Sequence, residues 1–161
     1  MENRIRVGVL IFNEGKLLLI KHVDPKSGYT WWVPLGGGLK EKETIFECGA
    51  REVMEEANLS VKLDKVIYLR QFIYNIQDQN NIDVYITSSE SSGKKAIANL
   101  KGMGGDEHFI KELKFFSRDE IKDINVFPNF LKENMWQDYD KDFPNMKFLG
   151  VEDDSEHQKN I

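Results

Sequence analysis

The stretch GGGLKEKETIFECGAREVMEEANL, Gly36 to Leu59, couples three consecutive glycines to a helical pattern carrying Arg51, Glu52, Glu55 and Glu56. Carboxylates at helical spacing repel one another, so a helix with only a structural task gains nothing from three of them this close. The pattern calls for a positive charge among them. Thr44 and Glu47 have the spacing of a capping box, which starts the helix directly after the glycine loop. At about 100° per residue, Phe46, Ala50, Val53 and Ala57 fall within an arc of roughly 60°, the expected core-facing stripe, and the four charged residues span roughly 140° on the opposite side. Asn58 stands where a helix commonly ends in the left-handed conformation.

The rest of the chain limits what such a helix can serve. At 161 residues and 40% hydrophobic content it has the size of one domain, residues 1–161, able to bury roughly 70% of its unfolded surface. A formal net charge of −5 argues against a surface that wraps a nucleic-acid polymer, which requires clustered Lys and Arg. The opening MENRIRVGVLIFNEG lacks the apolar run of a secretory signal, and no later run is long enough to span a bilayer, so the expectation is a cytoplasmic protein without a membrane partner. Cys48 is the one cysteine, which excludes an intrachain disulfide and a cysteine-based zinc cluster.

Turn chemistry and alternation predict the elements around the helix. IRVGVLIF and KLLLIKHV, separated by NEG, read as an opening hairpin. DPKSGYT is a turn-rich loop, and WWVPL is a short extended segment because Pro34 restricts both itself and Val33. KVIYLRQFIYNI, IDVYITSS and KELKFFS read as strands, the last followed by a short helix from Arg118. Residues 90–106 have the composition of a long loop, and residues 151–161 that of a polar, solvated tail.

Magnesium takes hard oxygen ligands and is commonly held by a few carboxylates together with substrate phosphates. Glycines let the backbone approach a metal or phosphate, and arginine can fix a neighbouring carboxylate through planar, charge-assisted hydrogen bonds. Gly36 to Leu59 therefore reads as a metal-assisted phosphate site. In it, Gly37, Glu43, Arg51, Glu52, Val53, Glu55, Glu56 and Leu59 match the box of the Nudix hydrolase family at its fixed spacings, with Asn58 where the family has Gly. The chain resembles that family over box residues 37–59, and WWVPLGGG and KELKFFSRDEI are similar to the family's flanks.

The resemblance implies an α/β fold, an α/β/α sandwich around a mixed β-sheet. It implies that Glu55 and Glu56, with the carbonyl of Gly37, hold Mg2+ or Mn2+, that Glu52 is a ligand or the general base, and that Arg51 orients it. Glu52, Arg51 and Glu55 would form the catalytic set, Glu43 would support the loop, and a later acidic ligand would come from Glu107 or Glu112. The implied reaction is hydrolysis of a phosphoanhydride in a nucleoside diphosphate linked to another moiety: a nucleoside triphosphate, a nucleotide sugar or ADP-ribose, or a dinucleoside polyphosphate. Divalent metals suit it because they neutralise the diphosphate and acidify water. The partner is thus a small-molecule nucleotide, and a homodimer is admitted. The alternative is a catalytically silent Nudix-fold nucleotide-binding or regulatory module, which is expected to lose box carboxylates; none is missing here.

Outside the box, Trp31 and Trp32 are adjacent in an extended segment, so one ring faces inward and the other outward. Trp32 is the candidate for stacking on a base, with Tyr74 and Asn129 of the FPN stretch as further substrate contacts. His22, His108 and His157 show no ligand spacing. Turnover is expected to require a divalent cation, so assays in excess chelator should show none; undiminished turnover there would leave the carboxylate cluster without a purpose.

Overall fold

The computed structural model describes residues 1–92 and 110–155. Among them run strands β1 (Glu2–Leu10), β2 (Phe12–Asn13), β3 (Lys16–Val23), β4 (Thr30–Val33), β5 (Leu35–Gly38), β6 (Ser60–Tyr74), β7 (Gln79–Ser92), β8 (Ile110–Phe116) and β9 (Lys147–Asp153). The helices are α1 (Ile45–Ala57) and α2 (Asn134–Asp140), with single 3-10 turns at Asn75–Gln77, Glu120–Asp123 and Asn129–Leu131. One mixed sheet has the order β5-β1-β7-β6-β9, and in a second sheet β3 pairs with β2, β4 and β8. The pairs β1–β7 and β6–β9 are parallel. The mixed α/β fold implied by the box is therefore present.

The opening hairpin takes a different form from the one expected. β1 lies between β5 and β7 in the first sheet, while β2 and β3 form a short hairpin in the second. Glu14 and Gly15 both have positive φ, 51° and 73°, the primed turn that matches strand twist. The break at Ile11 lets the chain change sheets. β3 is then covered on both faces: Leu17, Leu18, Leu19 and Ile20 are all fully buried, as the unbroken apolar run requires. Leu17 and Leu19 enter the cluster around Trp32, Tyr68 and Trp136, and Leu18 enters the cluster under α1 with Val9, Val53 and Ala57.

Helix α1 has the caps read from the sequence. Thr44 and Glu47 form a reciprocal capping box, and Asn58 ends the helix in the left-handed region at φ 56°, ψ 34°. Its buried face is turned by roughly 60° from the expected stripe. Phe46 is 40% exposed and Met54 45% exposed, whereas Cys48, Gly49, Val53, Glu56 and Ala57 are buried. Close approach explains the rotation: a methyl on Gly49 would stand 2.8 Å from Leu63 Cδ1 and 3.0 Å from Val9 Cγ2. The small residues decide which side lies on the sheet, and a wheel weighted by side-chain hydrophobicity points to the wrong arc.

The expected solvated tail is also corrected in part. Val151 to Asp153 complete β9 beside β6, and Asp154, buried, accepts hydrogen bonds from the Asn75 and Ile76 N–H groups and the Asn75 amide. Glu90 to Ser92 extend β7; the remainder of the expected long loop and of the tail lies outside the described residues. Among the described residues, no helix is long and apolar enough to cross a membrane.

Val53 has no exposed surface, so Val53→Asp would bury an unpaired carboxylate between helix and sheet. The expected cost is roughly 3 kcal/mol or more, read as a drop of about 6–12 °C in melting temperature. An unchanged midpoint would mean that α1 is turned differently.

Candidate active site

The charge called for among the carboxylates is Arg51 itself. Its Nε donates to Glu43 Oε1 at 2.6 Å and its Nη2 to Glu43 Oε2 at 3.1 Å, a two-pronged clasp. Nη1 donates to Glu52 Oε1 at 2.7 Å and to Glu55 Oε2 at 3.2 Å. Nη2 also donates to the Gly38 carbonyl at 3.1 Å. One guanidinium thus joins the loop before the helix, the end of β5 and two helix carboxylates. Glu43 in turn accepts the Lys40 N–H at 3.0 Å, which closes the loop on itself.

Glu56 is held separately. It lies on the buried face of α1, 7% exposed, and accepts the Gly36 N–H at 2.7 Å. The expectation that all four charges share one outward face is corrected here: Glu56 is turned inward because a backbone donor from β5 meets it. Cys48 lies beneath the same loop, its thiol directed at the Gly37 and Gly38 carbonyls. Burial pushes that thiol up to about 12, which leaves it a packed, unreactive group.

The clasp sets the protonation states. The Arg51 hydrogen bonds bring Glu43 down to about 2. Burial pushes Glu52 above the ordinary carboxylate range, against the pull of Arg51. The Glu43 bond in turn raises Arg51 further, so it stays charged.

The residues suit a hard divalent cation. A Cβ on Gly37 would fall 2.4 Å from the Glu52 carboxylate, so only glycine lets that carboxylate lie against the loop backbone. The donors gathered there are carboxylate and carbonyl oxygens, the set that magnesium and manganese take. One guanidinium pairs with Glu43, Glu52 and Glu55, and Glu56 lies on the neighbouring Gly36 N–H, so negative charge remains in excess of the arginine. Among the described residues no three acidic, His or Cys side chains converge on a single cation position, because Arg51 and the Gly36 N–H draw the carboxylates to separate partners. A cation would compete with Arg51 for Glu52 and Glu55.

The remaining candidates scatter. Glu112 sits on β8 with an exposed side chain, 3.7 Å from Lys21 Nζ, and Glu107 lies outside the described residues. Trp32 is in the core, edge-on to Phe116 at 4.7 Å. The tryptophan that faces open space is Trp31, which lines a cavity of about 390 Å³ with Asp24, Tyr29, Tyr74 and Phe127. Tyr74 is thus at a cavity, while Asn129 is exposed and does not line it. Asp24 and Tyr29 were not legible as cavity-lining residues; the one available signal was an aromatic residue in a turn-rich loop next to the tryptophan pair.

A family model for the NUDIX domain matches residues 2–139. The chain belongs to the Nudix hydrolase family. Solved structures support the fold of this Nudix chain. A MutT Nudix hydrolase from Burkholderia pseudomallei superposes with a TM-score of 0.67 at 18% identity, covering 82% of this chain and 96% of that one. A Nudix hydrolase from Nitrosomonas europaea gives 0.66 at 20% identity over 95% and 80% of the two chains. An ADP-ribose pyrophosphatase from Streptococcus suis gives 0.60 at 15% identity over 92% and 98%. A comparison with curated proteins finds no match.

Glu43 supplies a pH test of the clasp. Its carboxyl is held near 2 against an ordinary 4.5, so its contribution to stability is fully present above 4.5 and is lost as pH falls through 2. The stability difference between the parent and Glu43→Gln, from denaturant unfolding, should be large at pH 6 and shrink steadily toward pH 2. A difference independent of pH would remove Glu43 from the clasp.

Proposed function

We propose that this Nudix hydrolase cleaves a phosphoanhydride in a nucleoside diphosphate linked to another moiety, using Mg2+ or Mn2+ held by Glu55, Glu56 and the carbonyl of Gly37, with Glu52 as a further ligand or the general base. The observation that carries the reading is the Arg51 clasp. It gathers Glu43, Glu52, Glu55 and Gly38 in one frame and leaves excess negative charge against a glycine loop. A surface helix without a ligand has no need to store charge in that way.

A bound divalent cation would supply charge neutralisation of the diphosphate and a more acidic water. Arg51 is a positioning residue: its planar donors set the Glu52 carboxylate against Gly37. Glu52 is either a ligand or the base that takes a proton from the attacking water, and burial, which raises its proton affinity, suits the second role. Oxygen of that water forms the new bond to phosphorus as the bridging P–O bond breaks, so no Ser, Cys or His adduct forms. Glu43 holds the loop through Arg51 and the Lys40 N–H. Neither Glu107 nor Glu112 is assigned as a further ligand.

The substrate belongs to one of three groups: nucleoside triphosphates, nucleotide sugars or ADP-ribose, and dinucleoside polyphosphates. Structural neighbours named as an ADP-ribose pyrophosphatase and a UDP-X diphosphatase support including diphosphate-linked compounds beside the triphosphates. The whole chain is read as one domain acting on free nucleotides in the cytoplasm, alone or as a homodimer, without a nucleic-acid polymer or a membrane.

The test separates chemistry from folding. Glu56→Gln preserves shape and the acceptor for Gly36 but removes a charge. Turnover at saturating magnesium should fall by at least the roughly 10–100-fold that disturbing a metal site costs, with the melting temperature maintained. Glu47→Gln is the control: Glu47 is exposed and accepts the Thr44 N–H at 2.8 Å, so its loss should cost at most about 1 kcal/mol and little activity. Full activity in Glu56→Gln would remove that residue from the metal site, and a parent without turnover on any of the three substrate groups would favour a silent nucleotide-binding module.

A further inference from the structure

The face of the five-stranded sheet turned away from α1 carries charge that the box does not use. Strand register fixes which residues share it. Arg6 stands opposite Asp83 in the β1–β7 pairing, Asp83 opposite Arg70 in the β7–β6 pairing, and Arg4 opposite Asn81. Side chains at paired positions lie on one face. The next row of this face, Gly8, Tyr85 and Tyr68, leads into the core cluster around Trp32 and Trp136, while Val7 and Val84, one position along, pack the other way with Cys48 of α1.

The cations on this face are only partly answered. Arg70, 6% exposed, has Asp83 at 3.6 Å and Glu152 at 3.4 Å. Its Nε and the buried Asn81 Oδ1 both lack a hydrogen-bond partner among the described residues. Burial pushes Asp83 above the ordinary carboxylate range, against the pull of Arg6 and Arg70. Arg4 and Arg6 are half-buried, and neither forms an ion pair among the described residues. Arg4 Nη1 donates to the Gln79 amide oxygen at 3.3 Å, and Glu2, exposed at the start of the strand, accepts from the Gln79 amide nitrogen at 3.4 Å.

Two adjacent glycines connect this face to the box. A Cβ on Gly37 would meet the Glu52 carboxylate at 2.4 Å, and a Cβ on Gly38 would meet Arg4 Nη2 at 3.3 Å. Consecutive strand residues face opposite sides, so the box carboxylates and Arg4 flank β5 from its two faces. β5 is an edge strand of its sheet, and with no side chain at either position a chain of phosphates can pass around it from one set to the other.

Charge selects the group that Arg4 and Arg6 take. A neutral ring, sugar or amide laid over them strips water from two guanidiniums and returns no charge, which is a costly way to cover an ion. A phosphate returns both charge and acceptors, in planar charge-assisted bonds. The box carboxylates hold a phosphate only through a cation, so the two arginines are a second and different phosphate contact.

We propose that Arg4 and Arg6 bind a phosphate of the substrate beyond the diphosphate held at the box, so that the substrate is a nucleoside triphosphate or a dinucleoside polyphosphate and not a diphosphate joined to a neutral sugar. The proposal rests on the pyrophosphohydrolase reading for the diphosphate and adds the further phosphate to it.

The test has a binding arm and a turnover arm. In the first, inorganic tripolyphosphate and adenosine are titrated calorimetrically into the full chain in excess chelator, where no turnover intervenes. Tripolyphosphate should bind saturably, and Arg4→Gln and Arg6→Gln should each weaken it by at least roughly tenfold, the worth of a hydrogen bond to a charged group. Arg118→Gln removes the same charge from an exposed pair with Asp140 and should bind as the parent does. The melting temperature of each variant identifies any loss caused by unfolding, and either arginine of β1 decides the matter if the other variant fails to fold. In the second arm, with magnesium, Arg6→Gln should lower kcat/KM by at least roughly tenfold on whichever of ATP and diadenosine tetraphosphate the parent turns over, which also tells the two sources of the phosphate apart, and should leave any turnover of ADP-ribose unchanged. A parent that does not bind tripolyphosphate, equal binding by parent and Arg6→Gln, an equal loss in Arg118→Gln, or adenosine binding that disappears in Arg6→Gln would each overturn the proposal and leave the box reading intact. A parent that binds tripolyphosphate through these arginines yet turns over none of the three substrates would instead sink the box reading while the phosphate contact stands.

Discussion

The clasp of Arg51 on Glu43, Glu52, Glu55 and the Gly38 carbonyl is the interaction on which the site depends. Without it, a helix bearing Glu52, Glu55 and Glu56 would face mutual repulsion, and the loop from Leu39 to Glu43 would have little to fold against. Partly buried ions are costly unless their hydrogen-bonding capacity is met, and here all three guanidinium nitrogens have acceptors. The arrangement is asymmetric in charge. Arginine satisfies Glu43 most completely, through two bonds, and shares a single nitrogen between Glu52 and Glu55, so the two carboxylates nearest the proposed chemistry are also the least firmly held.

The two sheets divide the remaining work. The five-stranded sheet carries β5 and supports α1, so the box loop is anchored to β1 through the pairs Gly38–Arg6 and Gly36–Gly8. The second sheet carries the tryptophan pair, whose inward member seals the core and whose outward member lines the cavity. A buried polar contact ties the far end together: Tyr68 of β6 donates to Asp138 of α2 at 2.5 Å, and Lys147 of β9 donates to the other carboxylate oxygen at 2.5 Å. Burial pushes Asp138 up, but the Lys147 and Tyr68 bonds outweigh it and leave the carboxyl below its ordinary range. This anchor brings β9 to the sheet edge, where composition alone suggested a solvated tail.

Much of the site was legible in the sequence because it is local. The capping box, the left-handed Asn58, the extended segment around Pro34 and the spacing of Glu43, Arg51, Glu52, Glu55 and Glu56 depend on neighbours within a few turns, and local propensity decides such features. The Arg51 clasp was legible in kind for the same reason, since Glu55 is one helical turn away and Glu43 lies in the adjoining loop.

Tertiary contacts decided the rest. The helix wheel placed Phe46 inward and Glu56 outward, but the close fit of Gly49 against Leu63 and Val9 and the Gly36 N–H donating to Glu56 turned the buried face by roughly 60°, with Val53 and Ala57 still inside. Adjacent tryptophans announced one inward and one outward ring, and only the edge contact with Phe116 made Trp32 the inward one. β1 and β3 read as a hairpin because the turn between them is a hairpin turn, yet β1 belongs with β7, more than sixty residues away in the chain. Residue types and short spacings determined the chemistry available to this protein; which face each residue shows was settled by packing between segments distant in sequence, where a single close approach outweighs the preference of a whole element.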